Sequence, residues 1–308
     1  MSIAILFPGQ GSQSVGMMKG FTDQPAIERT FREAGAIAGV DYWAMADEGP
    51  AELQNQTVNT QPLMLVAGVA CWRAWREAGG PMPAYFAGHS LGEYTALVAA
   101  GSLRFEDALP LVRLRAQAMQ EAVPEGTGGI AAIVGLDDEK LPAVLAEAAQ
   151  GEVVEAANLN SPGQVVVAGH RAAVERAMAL AKAQGAKLVK MLPMSAPSHC
   201  SLMKPAAERL RARLDAIEVR KPEVPVVHNR FVEAFDDPAR IRAALVEQLD
   251  HPVRWIETVR FLAQQGATRI VECAPGKVLA GLSRRIAPEA GSLALQDSAA
   301  MDAAIAQG

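Results

Sequence analysis

A serine in a glycine-rich turn is the first feature of this sequence that could do chemistry. Residues 88–92 read Gly-His-Ser-Leu-Gly and match the pattern G-x-S-x-G, with Ser90 at the centre. Residues 85–88 predict a short strand, and residues 91–100 predict a helix that ends at Gly101. In such a strand–turn–helix the serine projects outward as a nucleophile, and N–H groups at the helix N-terminus can stabilise an oxyanion. The context therefore favours a catalytic serine over an incidental one in a glycine-rich turn.

A serine nucleophile needs a general base, and histidine is the usual one. The five histidines of the chain are His89, His170, His199, His228 and His251. His89 adjoins Ser90 in the turn, so its side chain should point elsewhere. His199 lies in a loop between two predicted units, where catalytic groups are common. Position alone leaves His199, His228 and His251 as open candidates, with His199 slightly favoured.

An arginine on an apolar helix face is the third candidate. The helix that follows the serine turn is predicted to be capped by Asp107, with Pro110 in its first turn. At about 100° per residue, Arg115 falls in the middle of the apolar face, whereas Arg113 points to the polar side. A buried arginine needs an anionic partner. Either an internal Asp or Glu or the carboxylate of a ligand could be that partner.

Nucleotide and metal sites find little support in the sequence. The loop at residues 9–13 follows a predicted strand at 3–7, but it lacks the third glycine of G-x-G-x-x-G and the Lys-Ser/Thr of a P-loop. It fits better as a loop that lends hydrogen-bond donors to a site at the strand ends. Cys71, Cys200 and Cys273 form neither a C-x-x-C pair nor an even disulfide set. No metal-ligand spacing occurs, so neither a metal nor a cofactor is expected.

The composition limits the class of protein further. Half of the 308 residues are hydrophobic, which is enough for a sizeable core. The net charge of -5, from 29 basic and 34 acidic residues, argues against a general nucleic-acid binder. The longest apolar run, at 63–72, is too short to span a bilayer, and residues 1–7 lack the basic start of a secretory signal. We therefore expect a cytoplasmic protein with no membrane segment.

The order of predicted elements indicates an α/β protein with two parts. Strands of the outer part alternate with helices, which is typical of a mostly parallel sheet. Its further elements are predicted at 60–78, 202–216, 241–249 and 255–265 for helices and at 225–228 and 268–272 for strands. Thr60 is the expected N-cap of the first of these helices, with Pro62 in its first turn.

Residues 126–194 have a different pattern. Strands are predicted at 130–134, 153–157, 165–168 and 187–192, and helices at 139–149 and 171–184. The order β-α-β-β-α-β is that of a ferredoxin-like unit. The sequence thus predicts a subdomain at 126–194 inserted into a larger one formed by residues 1–125 and 195–308.

Seven sequence blocks together resemble a known family. They are FPGQGSQ (7–13), TQP (60–62), AGHSLGEY (87–94), RLR (113–115), NSPGQVV (160–166), PSHC (197–200) and PGKVL (275–279). In this order they resemble the bacterial malonyl-CoA:acyl-carrier-protein transacylases of type II fatty acid synthesis, from one end of the chain to the other. The resemblance implies an α/β-hydrolase-like body that carries a ferredoxin-like subdomain.

The resemblance also implies roles for the residues of the site. Ser90 matches the nucleophile and His199 its base, which would resolve the choice among the histidines. Arg115 matches the residue that binds the free carboxylate of malonate. The implied reaction is ping-pong transfer of malonyl from malonyl-CoA to holo acyl carrier protein through a malonyl-serine. Neither nucleic acid nor a membrane would be a partner, and nothing requires more than a monomer.

Three further roles and two departures follow from the same resemblance. Backbone N–H groups of Gln10 and Leu91 correspond to the oxyanion hole, and the backbone carbonyl of Gln248 to the group that orients the histidine. Ser198 stands where relatives often have Phe, and Ala274 where they often have Gly. Neither departure touches a proposed chemical group, although Ser198 bears on acyl selectivity.

Three alternatives stay open at this point. A thioesterase of the α/β-hydrolase class would share the serine turn, but no carboxylate between Ser90 and His199 is an obvious triad acid. A polyketide acyltransferase or a malonate-decarboxylase transacylase would use the same chemistry with another carrier. A non-catalytic carrier-binding module would have no reason to retain Ser90, His199 and Arg115 together.

Overall fold

A computed structural model describes residues 2–193, 196–273 and 275–307 of the chain. Its strands are Ile3–Phe7 (β1), Tyr85–Gly88 (β2), Gly128–Val134 (β3), Val154–Ser161 (β4), Gln164–His170 (β5), Leu188–Met191 (β6), Val226–Val227 (β7), Arg269–Glu272 (β8) and Gly291–Ala294 (β9). Its helices are Pro25–Ala38 (α1), Tyr42–Asp47 (α2), Ala51–Gln54 (α3), Thr57–Glu77 (α4), Gly92–Ala99 (α5), Phe105–Glu121 (α6), Leu141–Ala149 (α7), Arg171–Ala183 (α8), Lys204–Leu214 (α9), Pro238–Glu247 (α10), Trp255–Gln264 (α11), Val278–Ile286 (α12) and Ser298–Ala306 (α13).

A five-stranded sheet in the order β7-β2-β1-β8-β9 forms the centre of the larger part. All of its strand pairs are parallel. Side chains of β1 alternate between two buried clusters: Ile3, Ile5 and Phe7 join one, and Ala4 and Leu6 join the other. Both faces of the sheet are therefore covered, as expected for a parallel sheet flanked by helices. The predicted α/β architecture with a mostly parallel sheet is confirmed.

The register of this sheet brings the ends of its strands to one edge. Phe7 of β1 lies opposite Gly88 of β2, and Leu6 lies opposite Glu272 of β8. Parallel strands end at the same edge, so the loop after β1 and the serine turn after β2 meet there.

A second sheet, in the order β4-β5-β3-β6, is antiparallel throughout. Helices α7 and α8 contribute to a buried cluster with one of its faces. The succession β3-α7-β4-β5-α8-β6 agrees with the order predicted from the sequence. Strand β4 also reaches the larger part, because Leu159 N–H donates to the carbonyl oxygen of Val253 (3.0 Å) and Val253 N–H donates to that of Ala157 (2.9 Å).

Two predicted helix starts are wrong. Thr60 is not the N-cap of α4, because its own N–H already donates to the carbonyl oxygen of Gln56 (2.8 Å), so the helix begins at Thr57. Pro62 therefore lies inside the helix rather than in its first turn.

Asp107 is likewise not the cap of α6, which begins at Phe105. The N–H groups of Asp107 and Ala108 donate to the carbonyl oxygen of Arg104, which makes Arg104 the cap and leaves Pro110 inside the helix. The Asp107 carboxylate instead accepts from Arg104 Nε (2.7 Å). In both helices the pattern of polar residues and prolines placed the cap too late, by four residues in α4 and by three in α6.

The remaining predicted elements agree with the structure to within a few residues at their ends. The sequence-based predictions do not include six elements of the structure: α1, α2, α3, α12, α13 and β9. No helix of the described ranges has the length and apolar character needed to cross a membrane.

Candidate active site

Ser90 occupies a tight turn between β2 and α5. Its backbone φ of 52° is in the left-handed region, which costs a non-glycine residue about 1–3 kcal/mol. The glycines around it are required by close contact. A Cβ on Gly88 would lie 1.9 Å from the carbonyl carbon of Gly92, and one on Gly92 would lie 2.0 Å from the carbonyl oxygen of Phe7. The predicted strand–turn–helix around Ser90 is therefore confirmed.

His199 is the histidine that contacts Ser90. Ser90 Oγ lies 2.7 Å from His199 Nε2, and His199 Nδ1 lies 2.8 Å from the backbone oxygen of Gln248. A carbonyl oxygen only accepts, so Nδ1 carries the hydrogen and Nε2 is left to accept the hydroxyl proton of Ser90. The backbone φ of His199 is 63°, and its N–H donates to the carbonyl oxygen of Leu249 (3.0 Å).

The other histidines that the sequence left open lie elsewhere. His228 Nδ1 donates to Glu93 Oε1 (2.7 Å), and His251 Nδ1 lies 2.7 Å from Asp250 Oδ1. His89 pairs with Asn160 Oδ1 (2.8 Å). Among the described residues, His199 alone has a ring nitrogen hydrogen-bonded to Ser90 Oγ.

The surroundings of His199 keep it neutral. The pKa of its imidazole is lowered to about 3, chiefly by burial and then by the nearby positive charge of Arg115. A neutral imidazole can accept a proton, which is the state a general base requires.

Arg115 lies beside Ser90 and is 1% exposed. Its guanidinium donates to Gln61 Oε1 (2.6 Å), to Gln248 Oε1 (2.9 Å) and to Ser90 Oγ (3.2 Å). Arg113 is exposed, as the helical periodicity predicts.

Every side-chain acceptor of Arg115 in the described ranges is neutral, and none of the ion pairs there includes it. Its Nε is buried without a partner. Of the two anionic partners that the sequence left open, an internal carboxylate in direct contact is thus absent among the described residues. A ligand carboxylate would fill that role, since a buried guanidinium without a counter-charge is costly.

The loop after β1 lies against the serine turn. A Cβ on Gly9 would lie 2.5 Å from the carbonyl oxygen of His89 and 3.6 Å from Leu91 N. Within the described ranges, neither Gln10 N–H nor Leu91 N–H donates to a protein acceptor. Both residues line a cleft of about 190 Å³ together with Ser90 and His199. Both amides therefore belong to residues of this cleft and have no protein acceptor in the described ranges.

Gln248 contacts the site through both its backbone and its side chain. Beyond the carbonyl bond to His199, its Oε1 accepts from Arg115, and its Nε2 donates to the backbone oxygen of Ser90 (2.9 Å) and to Glu93 Oε2 (2.9 Å). The resemblance implied only the carbonyl contact.

Asn229 and Glu93 are two contributors that sequence reasoning missed. Asn229 Oδ1 accepts from Ser90 N (2.7 Å), and its Nδ2 donates to the carbonyl oxygen of Gly88 (2.6 Å), which braces the turn. Only Glu93 left a signal in the sequence: an acidic residue in the otherwise uncharged helix α5.

Ser198 is 5% exposed and lines the cleft, so this departure from the family pattern lies close to the site. Ala274, the other departure, lies outside the described residues. The described ranges contain no group of three or more His, Cys, Asp or Glu side chains that could hold a metal ion.

Comparison with known proteins gives consistent matches over nearly the whole chain. The model of a family described as "Acyl transferase domain" matches residues 5–292. A malonyl CoA-acyl carrier protein transacylase of Salmonella typhimurium is 54% identical over 305 residues, which is 99% of each chain.

Solved structures agree with these matches. The crystal structure of an acyl-carrier-protein S-malonyltransferase from Burkholderia pseudomallei is 53% identical, with a TM-score of 0.98 over 99% of this chain and 100% of that one. A malonyl-transacylase solved in complex with its type II PKS acyl-carrier protein is 49% identical, with a TM-score of 0.98 over 100% of both chains.

Proposed function

We infer the activity of this chain from the fact that it belongs to the acyl transferase domain family: it transfers malonyl from malonyl-CoA to the phosphopantetheine thiol of acyl carrier protein. The observation that carries the choice of acyl group is the position of Arg115. Its guanidinium lies 3.2 Å from Ser90 Oγ and has no carboxylate partner among the described side chains. In malonyl-CoA a carboxylate is separated from the thioester carbonyl by one methylene, so the two charges can meet while Ser90 attacks.

We propose the following first half-reaction. His199 Nε2 takes the hydroxyl proton as Ser90 Oγ attacks the thioester carbonyl carbon of malonyl-CoA. The N–H groups of Gln10 and Leu91 stabilise the tetrahedral oxyanion, an interaction worth about 3 kcal/mol per donor. The C–S bond then breaks, the proton passes from His199 to the CoA sulfur, and a malonyl-serine ester is left on the enzyme.

The second half-reaction reverses the first with a different thiol. The phosphopantetheine sulfhydryl gives its proton to His199 as the sulfur attacks the ester carbonyl. The C–O bond breaks, and the proton returns to Ser90 Oγ. A thioester is exchanged for a thioester, so the equilibrium lies near balance and the kinetics are ping-pong.

Arg115 is proposed to select malonyl over acetyl. A guanidinium pairs with a carboxylate through two parallel hydrogen bonds, whereas an acetyl group leaves it without a counter-charge. A buried site built for a polar group rejects an analogue that lacks it far more strongly than a hydrophobic pocket rejects a missing methylene.

The description of the two parts as subdomains is also a proposal. The sheet order β4-β5-β3-β6 with two helices on one face is that of a ferredoxin-like unit, and we assign it to residues 126–194. We assign residues 1–125 and 195–308 to an α/β-hydrolase-like catalytic subdomain. The boundary at residues 194 and 195 lies outside the described residues.

We further propose a monomeric, cytoplasmic enzyme that supplies fatty acid elongation. The free and buried thiols of Cys71, Cys200 and Cys273 fit a reducing compartment. The type II PKS complex among the solved relatives makes a polyketide carrier the second candidate partner. Parallel transfer assays with a fatty acid carrier and a polyketide carrier distinguish the two.

Intact-mass measurement in two steps tests the reaction. Malonyl-CoA alone should add one malonyl group to the protein, and holo carrier protein should then remove it and gain the same mass. A thioesterase would instead release free malonate without modifying the carrier. An unmodified carrier after the second step would contradict the proposed function.

A further inference from the structure

Glu93 is a carboxylate buried directly behind the proposed active site. It lies in the first turn of α5 and is 0% exposed. Its Oε1 accepts from His228 Nδ1 (2.7 Å), and its Oε2 accepts from Asn229 N (3.0 Å) and Gln248 Nε2 (2.9 Å). Both oxygens are thus occupied by donors, as a buried carboxylate requires.

The contact with Gln248 determines which way its side-chain amide faces. Glu93 Oε2 is the acceptor in this contact, so the amide turns its NH₂ group toward Glu93. The same NH₂ group donates to the backbone oxygen of Ser90, and the opposite atom, Oε1, accepts from Arg115. A flipped amide would set oxygen against two acceptors and NH₂ against a guanidinium. One orientation alone satisfies every contact.

The intervening amide also separates the charges of Glu93 and Arg115. Direct contact between them would give the guanidinium an internal counter-charge in place of the one that a ligand carboxylate supplies. With Gln248 between them, Arg115 is held by the neutral acceptors Gln61 and Gln248, while the Glu93 carboxylate makes no direct contact with it.

We propose that Glu93 is a positioning residue that fixes the orientation of the Gln248 amide and so presents Arg115 to the carboxylate of the acyl group. The inference rests on the proposed malonyl transfer and adds a residue that governs its selectivity. Glu93 touches neither Ser90 Oγ nor His199, so its effect should reach the carboxylate of the substrate and leave proton transfer unchanged.

The test compares the acylation of the purified full-length protein by malonyl-CoA and by acetyl-CoA in wild type and Glu93→Gln. A glutamine at position 93 can present NH₂ to Gln248, so the amide of Gln248 loses one of the three contacts that favour its orientation and keeps only those with Ser90 O and Arg115. We expect KM for malonyl-CoA to rise about tenfold with a much smaller change in kcat, since a binding contact is lost. Acylation by acetyl-CoA should change less than about twofold, so the malonyl-to-acetyl ratio of kcat/KM falls about tenfold.

A matched control is Glu272→Gln. Glu272 is also 0% exposed and belongs to the same part of the molecule, but its Oε2 accepts from Ala280 N (2.8 Å) rather than from Gln248. This variant should keep the wild-type malonyl-to-acetyl ratio. Gln248→Met is the second test variant, because it removes the side-chain amide while keeping the backbone carbonyl that binds His199. It should reproduce the malonyl-specific loss.

The outcomes separate this inference from the proposed function. A wild-type protein that accepts no malonyl refutes the function itself. A malonyl-selective wild type whose Glu93→Gln variant keeps the ratio, or loses both acyl groups equally, overturns the role of Glu93, whatever Gln248→Met does. Should Glu93→Gln fail to fold, the ratio in Gln248→Met decides.

Discussion

The two sides of Ser90 are held in different ways by the same residue. On the base side, His199 is oriented by the backbone carbonyl of Gln248. On the carboxylate side, Arg115 is oriented by the Gln248 side chain, which in turn contacts Glu93. A backbone carbonyl is present whatever residue occupies position 248, but an amide side chain is not. The base side is therefore insensitive to residue type at this position, whereas the carboxylate side depends on it.

In the proposed reaction, this difference should separate the chemical step from the choice of acyl group. Changes on the carboxylate side should alter which acyl group is accepted while the serine keeps its reactivity. Changes on the base side should slow every acyl group alike. The separation is incomplete, because Arg115 lies 3.2 Å from Ser90 Oγ and its charge contributes to the lowered pKa of His199.

Ser90→Ala should have the largest effect, because it removes Ser90 Oγ, the atom that both His199 and Arg115 contact. The variant has no hydroxyl to form the ester, so the acyl-enzyme should be absent with malonyl-CoA and with acetyl-CoA. Intact-mass spectra measure this directly, with wild-type protein treated in parallel. A malonyl adduct that persists on the variant would show that another residue is the nucleophile. The contrast between the two sides of Ser90 would then no longer apply.

Arg115→Ala should act mainly on the carboxylate side. Truncating one partner of a buried charge pair costs about 2–5 kcal/mol, so kcat/KM for malonyl-CoA should fall by between roughly 30-fold and several thousand-fold. Acetyl-CoA never pairs with this residue and should be preferred by the variant. The measurement is kcat/KM for each thioester.

Arg113→Ala is the matched control for this prediction, since Arg113 lies in the same helix but is exposed and donates to the carbonyl oxygen of Ala38 (3.0 Å). It should leave both values unchanged. Equal losses for malonyl-CoA and acetyl-CoA in Arg115→Ala would show that Arg115 serves the serine rather than the substrate carboxylate.

The same contrast explains what could be predicted from the sequence. Ser90 was predictable because a strained turn between strand and helix leaves a local signature of glycines. Arg115 was predictable as a buried cation because helical periodicity is local too. His199 could not be chosen over His228 and His251 from position alone, since the pairing of a base with a serine 109 residues away is decided by the tertiary fold.

The residues that support Ser90 and Arg115 without being part of the proposed reaction could not be predicted from local sequence patterns. Asn229 braces the turn of Ser90 from 139 residues away, and the Gln248 side chain reaches Arg115 across 133 residues. No spacing rule connects such positions. The wrong caps at Thr60 and Asp107 have the same origin, because each residue is a good cap by type, but backbone hydrogen bonds had already begun the helix upstream.

The pH dependence of kcat/KM should show how strongly the charge of Arg115, on the carboxylate side, affects His199 on the base side. Because the pKa of His199 is about 3, kcat/KM for acylation by malonyl-CoA should stay flat through about pH 6.5, where an ordinary histidine base would lose activity. In Arg115→Ala, the removal of the positive charge should raise the pKa of His199, so the acid limb for acetyl-CoA moves upward. Burial is the larger cause, so this movement is partial.

The free energy of unfolding should also depend on pH through His199, and it should decrease as the pH falls. The pKa of His199 in the folded protein lies below its unfolded value, so below about pH 6.5 the unfolded chain binds a proton that the folded chain does not. This contribution to the free energy of unfolding is therefore lost as pH falls toward about 3. Denaturant unfolding at several pH values measures this loss, and His199→Gln should flatten that part of the profile.

A single kinetic result would contradict both pH predictions. An acid limb of kcat/KM near pH 6.5 in wild type would show that His199 is not held neutral by its surroundings.

Glu155→Gln should give the smallest effect and test the base side from a distance. Glu155 of β4 accepts hydrogen bonds from Ser201 N (2.8 Å) and Ser201 Oγ (2.8 Å). Ser201 lies two residues after His199, whose backbone φ is 63°. A glutamine offers one oxygen in place of two, so the segment that carries His199 should be held less firmly. We expect kcat to fall about two- to fivefold for malonyl-CoA and acetyl-CoA alike, with the ratio between them unchanged.

Glu152→Gln is the control for this last variant, because Glu152 precedes the same strand but pairs with Arg176 (2.8 Å) rather than with the segment of His199. It should leave kcat unchanged for both thioesters. A malonyl-specific loss in Glu155→Gln would mean that the position of His199 also governs selectivity, and the two sides of Ser90 would then have to be treated as one. An equal loss for both acyl groups, beside the malonyl-specific loss in Arg115→Ala, would establish that the enzyme controls reactivity and selectivity through separate contacts.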